Sequence, residues 1–319
     1  MNTTRIEYAG LGYVGVAAND PRAWLEFATD VCGLMPSTIP PGDRGPILAP
    51  APERGGTGPD GSVYLKMDDR QWRIAVHPGE EPGLRYLGFE VKSQGSFDLV
   101  VEQLQKRGGD VRPGTPEELD ARSVASLAVL EDPAGHRIEL FAGPVRDRDF
   151  RSPSGTRFLT GDLGMGHVVL YVPDVEAALA FYRNVLGFER SDYMTFGPGG
   201  MGIHFLRCTR RHHSIALLQI GELTGLQHLM LETESLDGLG GALDRAMAKG
   251  VPITSSLGRH RNDETVSFYM QGPSGFDVEI GWDGLLIGDD WVENEFAGGG
   301  DLWGHHGLDA ESLKPRETS

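Results

Sequence analysis

An α+β fold in two domains, each a pair of βαβββ modules curling around a cavity, is what this 319-residue sequence predicts. Three observations lead there. The length fits two domains of about 150 residues. Glycine occupies 45 positions, about twice the usual ~7%, which favours many strands and turns over long helices. The C-terminal half also repeats the N-terminal half in letters. LGYVGVAANDPRAWLEFATDVCGL aligns with MGHVVLYVPDVEAALAFYRNVLGF, YLGFEV with HLMLET, and DPAGHRIELF with GPSGFDVEIG. A lone module of this size buries little core, so pairing modules makes physical sense.

The first half opens on an apolar strand over 11–18. Trp24, Phe27, Ala28 and Val31 recur at helical spacing and predict a helix over 21–31. Strands follow over 62–66, 73–77 and 85–91. Val100, Val101 and Leu104 mark one face of a helix over 97–107, stopped by Gly108 and Gly109. Strands over 126–130 and 136–141 close this domain, which spans 1–145. The polar stretch RDRDFRSPSGTR starts a linker over 146–160.

The second domain, 161–285, repeats the order. A strand covers 165–171. Asp174 is the N-cap of a helix running to Leu186 and ended by Gly187. Strands follow near 203–207, 214–220 and 227–232. A helix near 236–249 is closed by Gly250, and strands over 265–270 and 277–282 finish the domain. Residues 286–319 read as an irregular tail with two anchors, Trp291 and the DLWGHH segment over 301–306.

Charge narrows the function. There are 29 basic and 46 acidic side chains, net −17. Such a surface repels nucleic-acid phosphates, so no nucleic-acid partner is expected. Two cysteines, Cys32 and Cys208, build neither a disulfide framework nor a Cys-rich metal site. The N-terminal stretch has no basic start followed by an apolar run, and no run nears the ~18 apolar residues of a membrane span. A cytoplasmic setting without membrane contact is the expectation.

Aligning the halves sets His167 over Tyr13, His228 over Tyr86 and Glu279 over Glu139. Two imidazoles and a carboxylate on three strands suit a divalent first-row metal. Facing one side of the ion, they leave positions open, as in non-haem Fe(II) oxygenases. The N-terminal half lacks such a site. A lone His on a strand is ordinarily a satisfied core or surface group, and that alternative stays open on pattern alone. His212 and His213 precede the apolar run SIALLQI; strand alternation lets at most one of them face a cavity. His260 and Tyr269 lie close by in sequence. The glycine-rich stretch 197–202 lacks the Lys-Ser/Thr of a phosphate loop and reads as a turn.

The segments GHVVLYVPD, FLRCTRRHHSIAL, LQHLMLE, LGRHRNDETVSFYMQGPSGFDVEIGW and DLWGH together carry a resemblance. The sequence resembles the type I extradiol catechol dioxygenases of the vicinal oxygen chelate superfamily, especially two-domain enzymes acting on 2,3-dihydroxybiphenyl and related bicyclic catechols. The resemblance spans nearly the whole chain and implies that superfamily's fold. It implies His167, His228 and Glu279 as metal ligands, with Fe(II) as the cofactor and Mn(II) also compatible with the set. It implies His213 as the acid–base residue, and His260 and Tyr269 beside the substrate oxygens. Asn262 matches a pocket residue, and Val169, Phe205 and Ala216 would lie near the substrate ring. The implied partners are a catechol and O2, and the implied assembly is a homo-oligomer. One departure is Gly272 before Pro273, where the family has an Asp-, Asn- or Thr-like residue. Two alternatives share the fold: a glyoxalase-like isomerase or lyase, which would need a catalytic carboxylate on its metal, and a ligand-sequestering protein, which would need a cavity but no triad.

Overall fold

Each half is built from two βαβββ modules. In the computed structural model, which describes residues 6–38, 41, 56–196, 201–298, 300–309 and 312–314, the first module holds β1 (Tyr8–Ala18), α1 (Pro21–Phe27), β2 (Met35–Pro36), β3 (Val63–Lys66) and β4 (Ile74–Pro78). The second holds β5 (Gly83–Val91), α2 (Gln94–Lys106), β6 (Arg112–Pro113), α3 (Pro116–Arg122), β7 (Val124–Glu131) and β8 (Arg137–Pro144). The third comprises β9 (Gly166–Tyr171), α4 (Val175–Ala180), β10 (Glu189–Phe196), β11 (Met201–Arg207) and β12 (Ile215–Leu218). The fourth comprises β13 (Gly225–Thr233), α5 (Leu236–Ala248), β14 (Ile253–His260), β15 (Val266–Gln271) and β16 (Asp277–Trp282). Two tail strands follow, β17 (Asn294–Ala297) and β18 (Asp301–Trp303).

One pairing rule generates both sheets. The first strand of every module pairs in parallel with its last. The first strands of the two modules in each half pair antiparallel, β1 with β5 and β9 with β13. These central strands are buried along almost their whole length, because helices cover one sheet face and the other turns inward. Hence they appear as continuous apolar runs rather than alternating ones.

Local signals act where the sequence places them. The Asp20 carboxylate accepts from Arg22 N–H at the start of α1, and Asp174 accepts from Ala177 N–H (3.0 Å) at α4. Each of these helices continues into a π-turn, over Ala28–Cys32 and Phe181–Val185. Gly33 and Gly187 then take left-handed conformations, φ +83° and +77°, that end the turn at low cost.

The structure adds elements that the pattern lacks: β2, β6, α3, β10 and β14. In β10 (ERSDYMTF) and β14 (ITSSLGRH) polar residues break any apolar run. The stretch read as an irregular tail carries two strands: β17 extends the sheet beyond β10, and β18 extends it beyond β14. The tail therefore joins both edges of the C-terminal sheet. Of the glycine-rich stretch, 197–200 lie outside the described residues.

A single apolar core runs through the helices of both halves. Polar ties cross the same boundary: Tyr8 Oη donates to Leu186 O (2.8 Å), Trp24 Nε1 to Ser274 Oγ (2.7 Å) and Tyr182 Oη to Asp132 Oδ2 (2.9 Å).

Candidate active site

Register alone brings the three expected ligands together. Met230 on β13 pairs with His167 on β9 and with Glu279 on β16. His228 lies two residues before Met230, so it shares that sheet face. The result is a tight triangle: His167 Nε2 to His228 Nε2 is 3.2 Å, His167 Nε2 to Glu279 Oε2 is 3.3 Å, and His228 Nε2 to Glu279 Oε2 is 3.2 Å. Adjacent ligands of a six-coordinate first-row ion, each about 2.2 Å from it, stand about 3.1 Å apart. The triangle therefore fits one face of such an ion.

The carboxylate makes the same point. Both Glu279 oxygens are buried without a well-directed hydrogen bond, although three imidazole nitrogens stand 3.2–3.4 Å away. A buried carboxylate left this way is costly unless a cation meets it. Burial alone would raise its pKa; His167, His228 and His260 outweigh that and hold it well below the usual carboxylate range. Burial also lowers His167, favouring the neutral, ligating form. Behind the triangle, His228 Nδ1 is bonded to Gln227 Oε1, which directs Nε2 inward.

Around the triad stand the other expected groups. The His213 ring lies 3.9 Å from the His167 ring, centroid to centroid. Burial, reinforced by His167 and His212, pushes His213 well below its usual pKa. Tyr269 pairs directly with Glu279 across β15 and β16. Its hydroxyl is 2.8 Å from His260 Nε2, and His260 Nδ1 is 2.9 Å from Asp301 Oδ1 on β18. Burial opposes a charged His260, but Asp301 and then Glu279 prevail and raise it to about 10. Burial, then Glu279, keeps Tyr269 a neutral phenol.

These groups meet at one cavity of about 490 Å³. His167, His228, Glu279, His213, His260, Tyr269, Asn262, Val169 and Phe205 all line it. Ala216 does not. It is fully buried between its register partners Val169 and Phe205 across β9, β12 and β11, on the same sheet face as both. Met194, Phe196 and Ile203 add apolar surface, and the tail adds Leu308, Asp309 and Leu313. Sequence reasoning missed Gln227, Asp263 and Asp301, although each lies inside a segment quoted there. Gly272 sits in the β15–β16 turn, where its N–H donates to Phe276 O (3.0 Å), away from the triad.

The N-terminal half has the same register and another solution. Gly88 pairs with Tyr13 and Glu139, as Met230 pairs with His167 and Glu279. Tyr13 Oη donates to Glu139 Oε2 (2.6 Å), and Arg122 of α3 donates to both Glu139 oxygens (2.8 and 3.0 Å). A guanidinium thus supplies the counter-charge. Tyr13, Tyr64, Trp72, Tyr86 and Phe141 fill the inward space.

Comparison with known proteins agrees with this geometry. Residues 164–280 match the glyoxalase/bleomycin resistance protein/dioxygenase superfamily, and 53–79 match the first domain of dihydroxybiphenyl dioxygenase. The chain is 38% identical to an iron-dependent extradiol dioxygenase of Rhodococcus jostii, over 92% of this chain and 96% of that one. It is 37% identical to a biphenyl-2,3-diol 1,2-dioxygenase of Metapseudomonas furukawaii, over 95% of each. A solved halotolerant catechol dioxygenase superposes with a TM-score of 0.84 at 33% identity, covering 98% of this chain and 97% of the other. Taken with a His/His/Glu set suited to a metal cofactor, these likenesses show that the chain belongs to the extradiol catechol dioxygenases of the vicinal oxygen chelate superfamily, oxidoreductases that add both atoms of O2 to a catechol.

Proposed function

We propose that this enzyme opens a substituted or bicyclic catechol beside its two hydroxylated carbons, using Fe(II) held by His167, His228 and Glu279. The observation that carries the reading is the triad's position at the wall of an apolar cavity that also receives His213, His260 and Tyr269. When bound, ferrous iron supplies open positions for both catechol oxygens and O2, favours the catechol anion and lets electrons pass between the two reactants.

The chain's own residues do the rest. Tyr269 stands between His260 and a catechol oxygen; with His260 charged, its hydroxyl accepts from His260 and donates to that oxygen, so the pair holds the catechol as its anion. His260 in turn is fixed by Asp301. His213 stands against His167; taking the catechol's other hydroxyl proton makes it a cation, which meets negative charge growing on the incoming oxygen and returns that proton as the O–O bond breaks. Val169, Phe205, Met194 and Ile203 pack the ring and exclude water. A cavity of about 490 Å³ lies within the roughly 300–1,000 Å³ that suits drug-sized ligands, which favours more than a single small ring. Among the described residues no helix is long and apolar enough to cross a membrane; a cytoplasmic, homo-oligomeric enzyme is part of the same reading.

The test is oxygen uptake after anaerobic Fe(II) loading, with 2,3-dihydroxybiphenyl and a panel of mono- and bicyclic catechols. Uptake with a yellow muconate-semialdehyde-type product, fastest for bicyclic substrates, is expected. No uptake with any catechol overturns the reading.

A further inference from the structure

Behind His213, on the side away from the cavity, lies a buried chain of polar groups that the reaction above does not use. Asp192 on β10 is fully buried, and both its oxygens are engaged. Its Oδ1 accepts from Asn294 N–H of the tail strand β17 (2.8 Å), and its Oδ2 is 2.8 Å from His212 Nε2. His212 Nδ1 is 3.1 Å from His213 Nδ1. The other acid near that nitrogen, Asp263, is 3.7 Å away, beyond hydrogen-bond reach. His212 is held at its backbone and its ring. Ser191 Oγ donates to the His212 carbonyl, and Trp291 meets the ring edge-on at 5.7 Å while its own Nε1 donates to Ser191 O (3.0 Å).

We propose that Asp192 and His212 are a positioning pair that fixes the tautomer of His213. The inference rests on the acid–base reading of His213. Counting donors gives the result. An ionised carboxylate only accepts, so His212 Nε2 carries a hydrogen. In neutral His212 the Nδ1 is then bare, and the hydrogen between the two Nδ1 atoms belongs to His213. Neutral His213 is left with a bare Nε2, the form that takes a proton at that atom and later gives it back. The tail takes part, because β17 supplies the N–H that fixes the far side of Asp192. The arrangement follows the logic by which a buried acid orients a catalytic imidazole, with one more imidazole interposed.

Two amides at position 212 separate this role from packing. Asparagine places its amide near Nδ1 and can still meet His213; glutamine places it near Nε2 and meets Asp192 alone. His212→Gln is expected to lower kcat about 10–100-fold, the usual range for groups that orient an active-site residue from behind. KM for 2,3-dihydroxybiphenyl and bound metal should stay unchanged. His212→Asn, whose amide oxygen can accept from His213 Nδ1, should lose less kcat than His212→Gln. Asp192→Asn, whose amide can donate to a bare His212 Nε2 and so favour the opposite tautomer, should lose a factor like that of His212→Gln. Wild-type kcat in His212→Gln or Asp192→Asn overturns the pairing, as does equal loss in both amide variants at 212. His213→Ala, measured alongside, tells the two failures apart. If it is inactive while His212→Gln is normal, only the positioning pair is wrong; if it keeps wild-type kcat, the acid–base reading falls and the pair with it.

Discussion

At the scale of single residues, two glutamates in equivalent register show what the site requires. Glu139 is neutralised by Arg122 and hydrogen-bonded by Tyr13, whereas Glu279 has imidazoles around it and no well-directed hydrogen bond. The first is a finished salt bridge; the second calls for a cation. Replacing His167, His228 or Glu279 by Ala should therefore abolish metal retention, as measured by metal content after desalting. His213→Ala should keep its metal and bind catechol but lose about 10²–10⁴-fold in kcat, the range of one general acid–base group. Arg122→Met leaves Glu139 with Arg137 as its remaining cation. It should destabilise the protein by about 1.5–3 kcal/mol, the value of hydrogen bonds to a charged group, with Arg137 keeping Glu139 from being stranded. Denaturant unfolding checks this, with metal content unchanged.

Elements decide how accurately those residues meet. Strands β9, β13 and β16 carry one expected ligand each, and their register forms the triangle without any loop. This part was legible in the sequence, because the halves repeat and the central strands are continuous apolar runs. Tyr13, Tyr86 and Glu139 fall in the register that the alignment assigns them. The edges were not legible. Strands β10 and β14 are polar and short on apolar signal, and the tail strands β17 and β18 exist only because unpaired sheet edges await them. Asp301 escaped notice for that reason: its position beside His260 depends on β18 docking on β14. Gly258 makes that docking possible, since a Cβ there would run into the backbone and ring of His305, which shares Asp301 with His260. Gly258→Ala should retain metal yet lose roughly 10–100-fold in kcat/KM through a displaced Asp301–His260 pair. Steady-state kinetics beside metal analysis tests it.

For the whole molecule, we propose that the N-terminal half serves as scaffold and the C-terminal half holds the chemistry. One core passes through both, and Tyr182 reaches from one half to the buried Asp132 of the other. Tyr182→Phe should cost about 1.5–3 kcal/mol, the value of a hydrogen bond to a charged group, and the halves should still unfold in one calorimetric transition; two resolved transitions would separate them. The most direct test of the central claim is iron-edge anomalous diffraction from crystals of the Fe(II)-loaded protein. One anomalous peak per chain, coordinated by His167, His228 and Glu279 and absent from the Tyr13–Glu139 position, is the predicted result. A peak elsewhere, or a second one in the N-terminal half, would contradict it.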